Sequence, residues 1–217
     1  MEQCLIFIKH NFRFLWRIIE QMNGLLFSCF YRKKLEKVLP GVFKEFSRPQ
    51  FTFRKLELYD TQNLYSIIHN QEDTDLRYFH PHEFDINSIK KKNKKKSFLM
   101  MGVMNKEEIV GYFFLRFFTN RTCFVGRIID KSYRGKGIGL TMNNIMYETA
   151  WRMGFRCLST ISRDNKDVMR AHARNPSMIV IKGLRHNYLL VEFVRESRRK
   201  GFGKREGEKK MDQLYNA

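Results

Sequence analysis

The sequence predicts an α+β fold, in which an antiparallel strand meander is flanked by helices and preceded by an extra amphipathic helix. Between residues 97 and 129, three apolar runs of strand length are separated by short polar turns, which sets consecutive strands side by side. Around them lie segments whose apolar residues recur at spacings of three and four, the period of one helix face. At 217 residues, 43% hydrophobic, the chain can bury one substantial core but is too short for two ordinary catalytic domains.

The first element spans roughly residues 3 to 39, with Leu5, Ile8, Phe12, Leu15, Ile19, Met22 and Leu26 on one face and Lys9, Arg13, Arg17 and Glu20 opposite. Phe7, Phe14, Trp16 and Ile18 widen the stripe, Gly24 marks a break, and Pro40-Gly41 ends the region. Such a helix packs on its own domain, on a second copy, or on a membrane surface. FTFRKLEL at 51–58 alternates as a half-buried strand does, and TQNLYSIIHNQ turns to helical spacing. A further helix begins at Ile86 and closes in KKKNKKK at 90–96, a run expected to be solvated and mobile. Strands follow at 97–104, 109–118 and 122–129, then a helix from Ile138 that stops at Gly154. The strand CLSTIS, a short helix over Asp167 to Arg174, and strands at 178–181 and 188–194 complete the pattern. The chain thus divides into a helical extension (1–46), a catalytic domain (47–195) and a basic tail (196–217) expected to be disordered.

The formal charge of +19 draws polyanions to the surface: phosphate-rich cofactors, nucleotide-linked substrates, nucleic acid or anionic lipid. No RNP, KH or helix-turn-helix pattern accompanies the Lys run, so a nucleic-acid partner is not expected. Four cysteines (Cys4, Cys29, Cys123, Cys157) form no CxxC pair, which points to a reducing compartment and to neither a zinc knuckle nor a disulfide framework. With no signal-peptide pattern and charges interrupting the long apolar stretch, the expectation is a cytoplasmic chain, or one peripheral at the inner membrane face.

The segment RIIDKSYRGKGIGLTMNNI runs from a strand, through a turn carrying Gly135, Gly137 and Gly139, into a helix. Closely spaced glycines let main-chain N–H groups converge on an anion, and the helix start adds unpaired donors and the positive end of its dipole. Arg134 and Lys136 add fixed charge, so the turn suits a diphosphate. A Walker loop requires GxxxxGK and then Ser or Thr, and a Rossmann turn requires GxGxxG in a parallel unit; neither is present.

YRGKGIG after an apolar strand ending in Asp resembles motif A of the GNAT superfamily of acetyltransferases, with the pattern Arg, two residues, Gly, one residue, Gly on Arg134, Gly137 and Gly139. The resemblance covers roughly residues 51 to 194 and implies a GNAT-like mixed, mostly antiparallel sheet flanked by helices. It further implies that acetyl-CoA is the co-substrate, with its diphosphate on the amides of Arg134, Gly135, Lys136, Gly137, Ile138 and Gly139. The strand residues Ile128 and Ile129 would run beside the pantetheine arm. Asn165 matches the asparagine that often begins motif B, or is simply a helix N-cap. Where the family commonly has a Tyr that protonates the leaving thiolate, this chain has His172, followed by Asn175-Pro176-Ser177 in place of Gly-Phe. His172 is then either the acid or an exposed helix histidine with water supplying the proton.

An amine attacks a thioester only when neutral, so a base is needed. In FHPHEF, Pro81 stiffens an extended stretch that would aim His80 and His82 into one cleft, with His82 the better base candidate. Both are equally readable as structural histidines, and without a third ligand no metal is expected. FHPH also resembles GNAT enzymes acting on amino sugars of surface polysaccharides. The expected partner is a small-molecule amine, its phosphates steered by Lys90 to Lys96 if it is nucleotide-linked. The alternative function is a non-catalytic acyl-CoA-binding module of the same fold, and the N-terminal helix leaves membrane contact or dimerisation open.

Overall fold

The structure is a computed structural model in which residues 13–173 and 175–195 are described. The expectations for residues 1–12 and for the tail after Arg195 lie outside them. Helix α1 (Arg13–Glu45) leads into β1 (Thr52–Lys55), α2 (Thr61–His69), α3 (Asp73–Leu76) and α4 (Ile86–Asn93). The meander β2 (Phe98–Asn105), β3 (Glu108–Phe117) and β4 (Thr122–Ile129) follows, then α5 (Ile138–Met153), β5 (Arg156–Ser162), α6 (Lys166–Ala173), β6 (Met178–Leu184) and β7 (Tyr188–Phe193).

Seven strands form one sheet in the order β1-β2-β3-β4-β5-β7-β6. Every pairing is antiparallel except β4 with β5, which is parallel and spans only Thr122–Phe124 against Arg156–Leu158. Beyond that point the two strands part. β2 and β3 are buried on both faces, which is why their sequences read as continuous apolar runs. One face packs α1 and α5 against Leu99, Phe113, Val125 and Ile129, while the other packs α2 and α4 against Met100, Tyr112, Phe114 and Ile128.

Two expectations about the first helix are corrected. Its buried stripe is Phe27, Leu35, Leu39 and Val42, whereas Met22 and Leu26 are 57% and 38% exposed. An alternating three-four repeat has a period of 3.5 and drifts about 20° per heptad around a straight helix, so its face cannot be extrapolated over many turns. Polar ties set the rotation instead: Glu20 pairs with Lys95 and with Arg116 at 2.8 Å. Asn23 donates to the Phe117 carbonyl at 2.9 Å and accepts from the Thr119 N–H at 2.9 Å.

The helix also continues through Gly24 and Pro40 to Glu45. An interior proline costs about 3 kcal/mol. Pro40 and Glu36, whose carbonyl loses its donor, are both exposed and open to water. Burial of Leu35, Leu39 and Val42 on the opposite side, at about 1.5–3 kcal/mol each, outweighs that cost. Since those side chains share a core with the sheet, the described part of α1 is built into the domain. Part of the lysine run is likewise engaged, with Lys95 on Glu20 and Lys92 over the Phe98 ring.

No helix among the described residues is long and apolar enough to cross a membrane.

Candidate active site

The parting of β4 from β5 opens a groove of about 680 Å³. Ser159 donates its hydroxyl to the Val125 carbonyl at 3.0 Å one residue past the last strand pair, and so closes the narrow end. Above it, β4 pairs only with β3 and β5 only with β7, which leaves the edges of Gly126–Ile129 and Thr160–Ser162 facing the groove without a strand partner. The Ile129 carbonyl accepts from Arg134 and the Ser162 carbonyl from the Asn165 N–H, and the other groove-facing main-chain groups require partners from water or a ligand. α5 contributes Asn143 and Tyr147, α6 contributes Val168 and His172, and the α3 region contributes Asp75 and Phe79.

The glycine turn stands at the rim, past Arg134, with Gly135, Lys136 and Gly137 exposed. Gly135 and Gly137 both have φ of 75°, a region costly for any residue with a Cβ. Among the described residues, the N–H groups of Gly135, Lys136 and Gly137 have no backbone acceptor. The buried side chain of Ile138 pins the start of α5 to the core, while the amides of the first turn stay at the surface. Ile128 and Ile129 are buried on opposite faces of the sheet, so only their main chain is offered to the groove.

The charges are arranged otherwise than expected. Arg134 turns back from the rim, donating to Asp75 at 2.9 Å, to Gln71 at 3.2 Å and to the Ile129 carbonyl at 3.2 Å. It is a brace between the turn and α3. Arg48 stands at the turn instead, donating to the Lys136 carbonyl at 3.0 Å, and Lys136 lies over the Tyr133 ring. Arg127, Asn143 and Tyr147 were also missed. One signal was present: Arg127 is a lone charge in the apolar strand VGRII.

Asn165 lines the groove and also accepts from the Val168 N–H at 3.1 Å, a capping bond on α6. His172 is half-buried beside the Phe193 ring, with Asn175 between it and the Tyr147 hydroxyl. Burial, followed by the nearby Arg127 charge, lowers its pKa from 6.5 to about 4. At neutral pH it is therefore an uncharged imidazole.

His80 and His82 do not line the groove. The chain bends at Pro81 and His82, so the alternation of an extended strand does not apply, and His80 is exposed while His82 is turned inward. Both ring nitrogens of His82 are engaged: Nδ1 donates to the Glu83 carbonyl at 2.7 Å, and Nε2 accepts from the Tyr112 hydroxyl at 2.9 Å. Burial lowers its pKa to about 4. Among the described residues no group of His, Cys, Asp or Glu is placed to hold a metal.

The acetyltransferase (GNAT) family model matches residues 57–175. A coenzyme A complex of the PaiA N-acetyltransferase from Thermoplasma acidophilum superposes with a TM-score of 0.53 at 18% identity, over 67% of this chain and 99% of that one. The microcin C7 self-immunity acetyltransferase MccE, in complex with acetyl-CoA and AMP, gives 0.53 at 16%, over 68% and 94%. A probable acetyltransferase gives 0.57 at 19%, over 70% and 96%. At these identities the likeness is one of fold. Among curated proteins none matches the chain by sequence. The family match spans more than half the chain and runs from the α2 region through the glycine turn to the end of α6; the chain belongs to the GNAT acetyltransferase family.

Proposed function

We propose that this chain transfers an acetyl group from acetyl-CoA to the amine of a small acceptor. The observation that carries the reading is the strand parting above Phe124, where main-chain edges without a strand partner lead to a turn of exposed, acceptor-free amides. The groove fits an extended donor with a diphosphate at one end. The amides of residues 135–139, with Arg48 and Lys136 beside them, would hold the diphosphate. The edges of Gly126–Ile129 would pair with the amides of the pantetheine arm and orient the thioester carbonyl. Bound acetyl-CoA would supply the activated carbonyl. With His82 closed off at both nitrogens, the acceptor amine loses its proton to water in the open groove.

The charge of +19 favours an acceptor that is not itself strongly basic. The amino-sugar reading draws no support from the comparisons, so the acceptor class stays at a small amine. Purified protein is to be tested for release of free coenzyme A thiol from acetyl-CoA with a panel of amino acids, amino sugars, nucleotide-linked amines and polyamines. Calorimetry with coenzyme A runs beside it. Turnover with one class of amine supports the proposal. Coenzyme A binding without turnover of any acceptor supports the binding-module alternative, and absence of binding overturns both.

A further inference from the structure

Helix α1 carries an apolar face that the domain does not cover. Met22, Leu25, Leu26 and Phe30 are 57%, 66%, 38% and 73% exposed, and their spacing in steps of three and four sets them on one side of the helix. They are four of the nine large apolar side chains left at the surface among the described residues. Single exposed apolar residues are ordinary, whereas a cluster marks a contact surface. The opposite side of α1 is fixed in the core through Phe27, Leu35, Leu39 and Val42, so this face is held outward and cannot turn in. The apolar stripe legible in the sequence, which ends at Met22 and Leu26, is thus the one presented to solvent.

Charge decides the occupant. Lys33, Lys37 and Lys44 continue the same side of the helix and are all exposed. None of them has a carboxylate partner among the described residues, because each described glutamate of α1 is already taken: Glu20 by Lys95 and Arg116, Glu36 by Arg32, and Glu45 by Arg152. A second copy on this face would bring one chain of charge +19 against another, and α1 of that copy would offer the lysines no free carboxylate. A bilayer with anionic headgroups suits both halves of the face. Apolar side chains enter the boundary of the acyl region, and lysine stems reach back to the headgroups. Phe30 and Lys33 are about 4.5 Å apart along the helix axis, close enough for one to be immersed while the other meets a phosphate.

We propose that the outward face of α1 docks the protein on an anionic membrane surface. Met22, Leu25, Leu26 and Phe30 enter the bilayer boundary, and Lys33, Lys37 and Lys44 pair with lipid phosphates. The helix lies in the plane of the surface, since no described helix is long and apolar enough to cross.

The test sediments the full chain with vesicles of phosphatidylcholine alone and of phosphatidylcholine and phosphatidylglycerol in equal parts, with light scattering of the free protein alongside. The mixed vesicles should capture the wild type. Leu25→Gln with Phe30→Gln keeps the net charge at +19 and should lower the partition coefficient at least about tenfold. Lys33→Gln with Lys37→Gln should lower it about fivefold per lysine. A wild-type chain that the mixed vesicles do not capture overturns the proposal whether or not the variants fold. Full capture of the Leu25→Gln, Phe30→Gln protein also overturns it, since charge elsewhere on the chain would then suffice, as does equal capture on phosphatidylcholine alone. A dimer that the same pair of substitutions dissolves, with no capture of the wild type, assigns the face to a second copy instead.

Discussion

Replacing Gly137 by alanine probes the geometry on which the cradle depends. Gly137 caps the start of α5 at φ 75° and ψ 0°. A residue with a Cβ pays about 1–2 kcal/mol for that conformation. The new Cβ would also stand 3.0 Å from Arg48 Nη1, which donates to the Lys136 carbonyl. Displacing that exposed hydrogen bond adds roughly 0.5–1 kcal/mol. Gly135 is the internal control, since it has the same φ of 75° but open space around it. For a chain of this size 1 kcal/mol lowers the unfolding midpoint by roughly 2–4 °C. Gly135→Ala should therefore lower it by roughly 2–8 °C, and Gly137→Ala by a few degrees more. Thermal unfolding followed by circular dichroism measures both, and the same pair in an Arg48→Ala background completes a double-mutant cycle. With Arg48 gone the two alanines should cost the same. A Gly137→Ala protein that melts with the wild type, or an excess cost that persists without Arg48, refutes the reasoning.

Glu20 ties α1 to the sheet. Burial alone would raise its pKa, but the hydrogen bond from Lys95 and the charges of Lys92, Lys95 and Arg116 hold it below the ordinary 4.5. Its stabilising contribution is then present above that value and is lost as pH falls through the folded-state pKa. Glu20→Gln should cost about 1–3 kcal/mol in urea unfolding at neutral pH, and the gap should narrow as pH falls below the ordinary 4.5; a gap that stays constant on acidification would count against the ion pairs. His82 and His172 behave oppositely to a histidine that gains a partner. With folded values of about 4 against 6.5, the unfolded chain takes up their protons first, so stability falls as pH drops from 6.5 toward 4. Each contributes roughly 1.4 kcal/mol per pH unit in that window. His172→Gln should flatten the profile, and a slope unchanged by the substitution would show that the imidazole is not held neutral.

The meander, α5 and the glycine turn were legible because each is specified by neighbours in sequence. SFLMMGVM and IVGYFFLRFF read as strands covered on both faces, and the turn before α5 is entered through Gly135 and Gly137, which take the positive φ that glycine allows. Such features are local, and so is the family signature built on them. The partners of long polar side chains were not legible, because they are chosen by three-dimensional proximity. Arg134 is turned away from the rim by Asp75, 59 residues earlier, and Arg48 reaches it across 88 positions. The bend at Pro81 hands His82 to Tyr112 instead of to the groove. The rotation of α1 was decided the same way, by Glu20 and Asn23 meeting groups about 75 to 96 residues distant. The sequence by itself therefore determined the fold class and the position of the cradle, through backbone conformation and short-range periodicity. Only the tertiary structure decided which charges face the groove, because a charged side chain takes the partner that folding brings near it: Arg134 meets Asp75, whereas Arg127 meets the Asn143 amide oxygen and no carboxylate among the described residues.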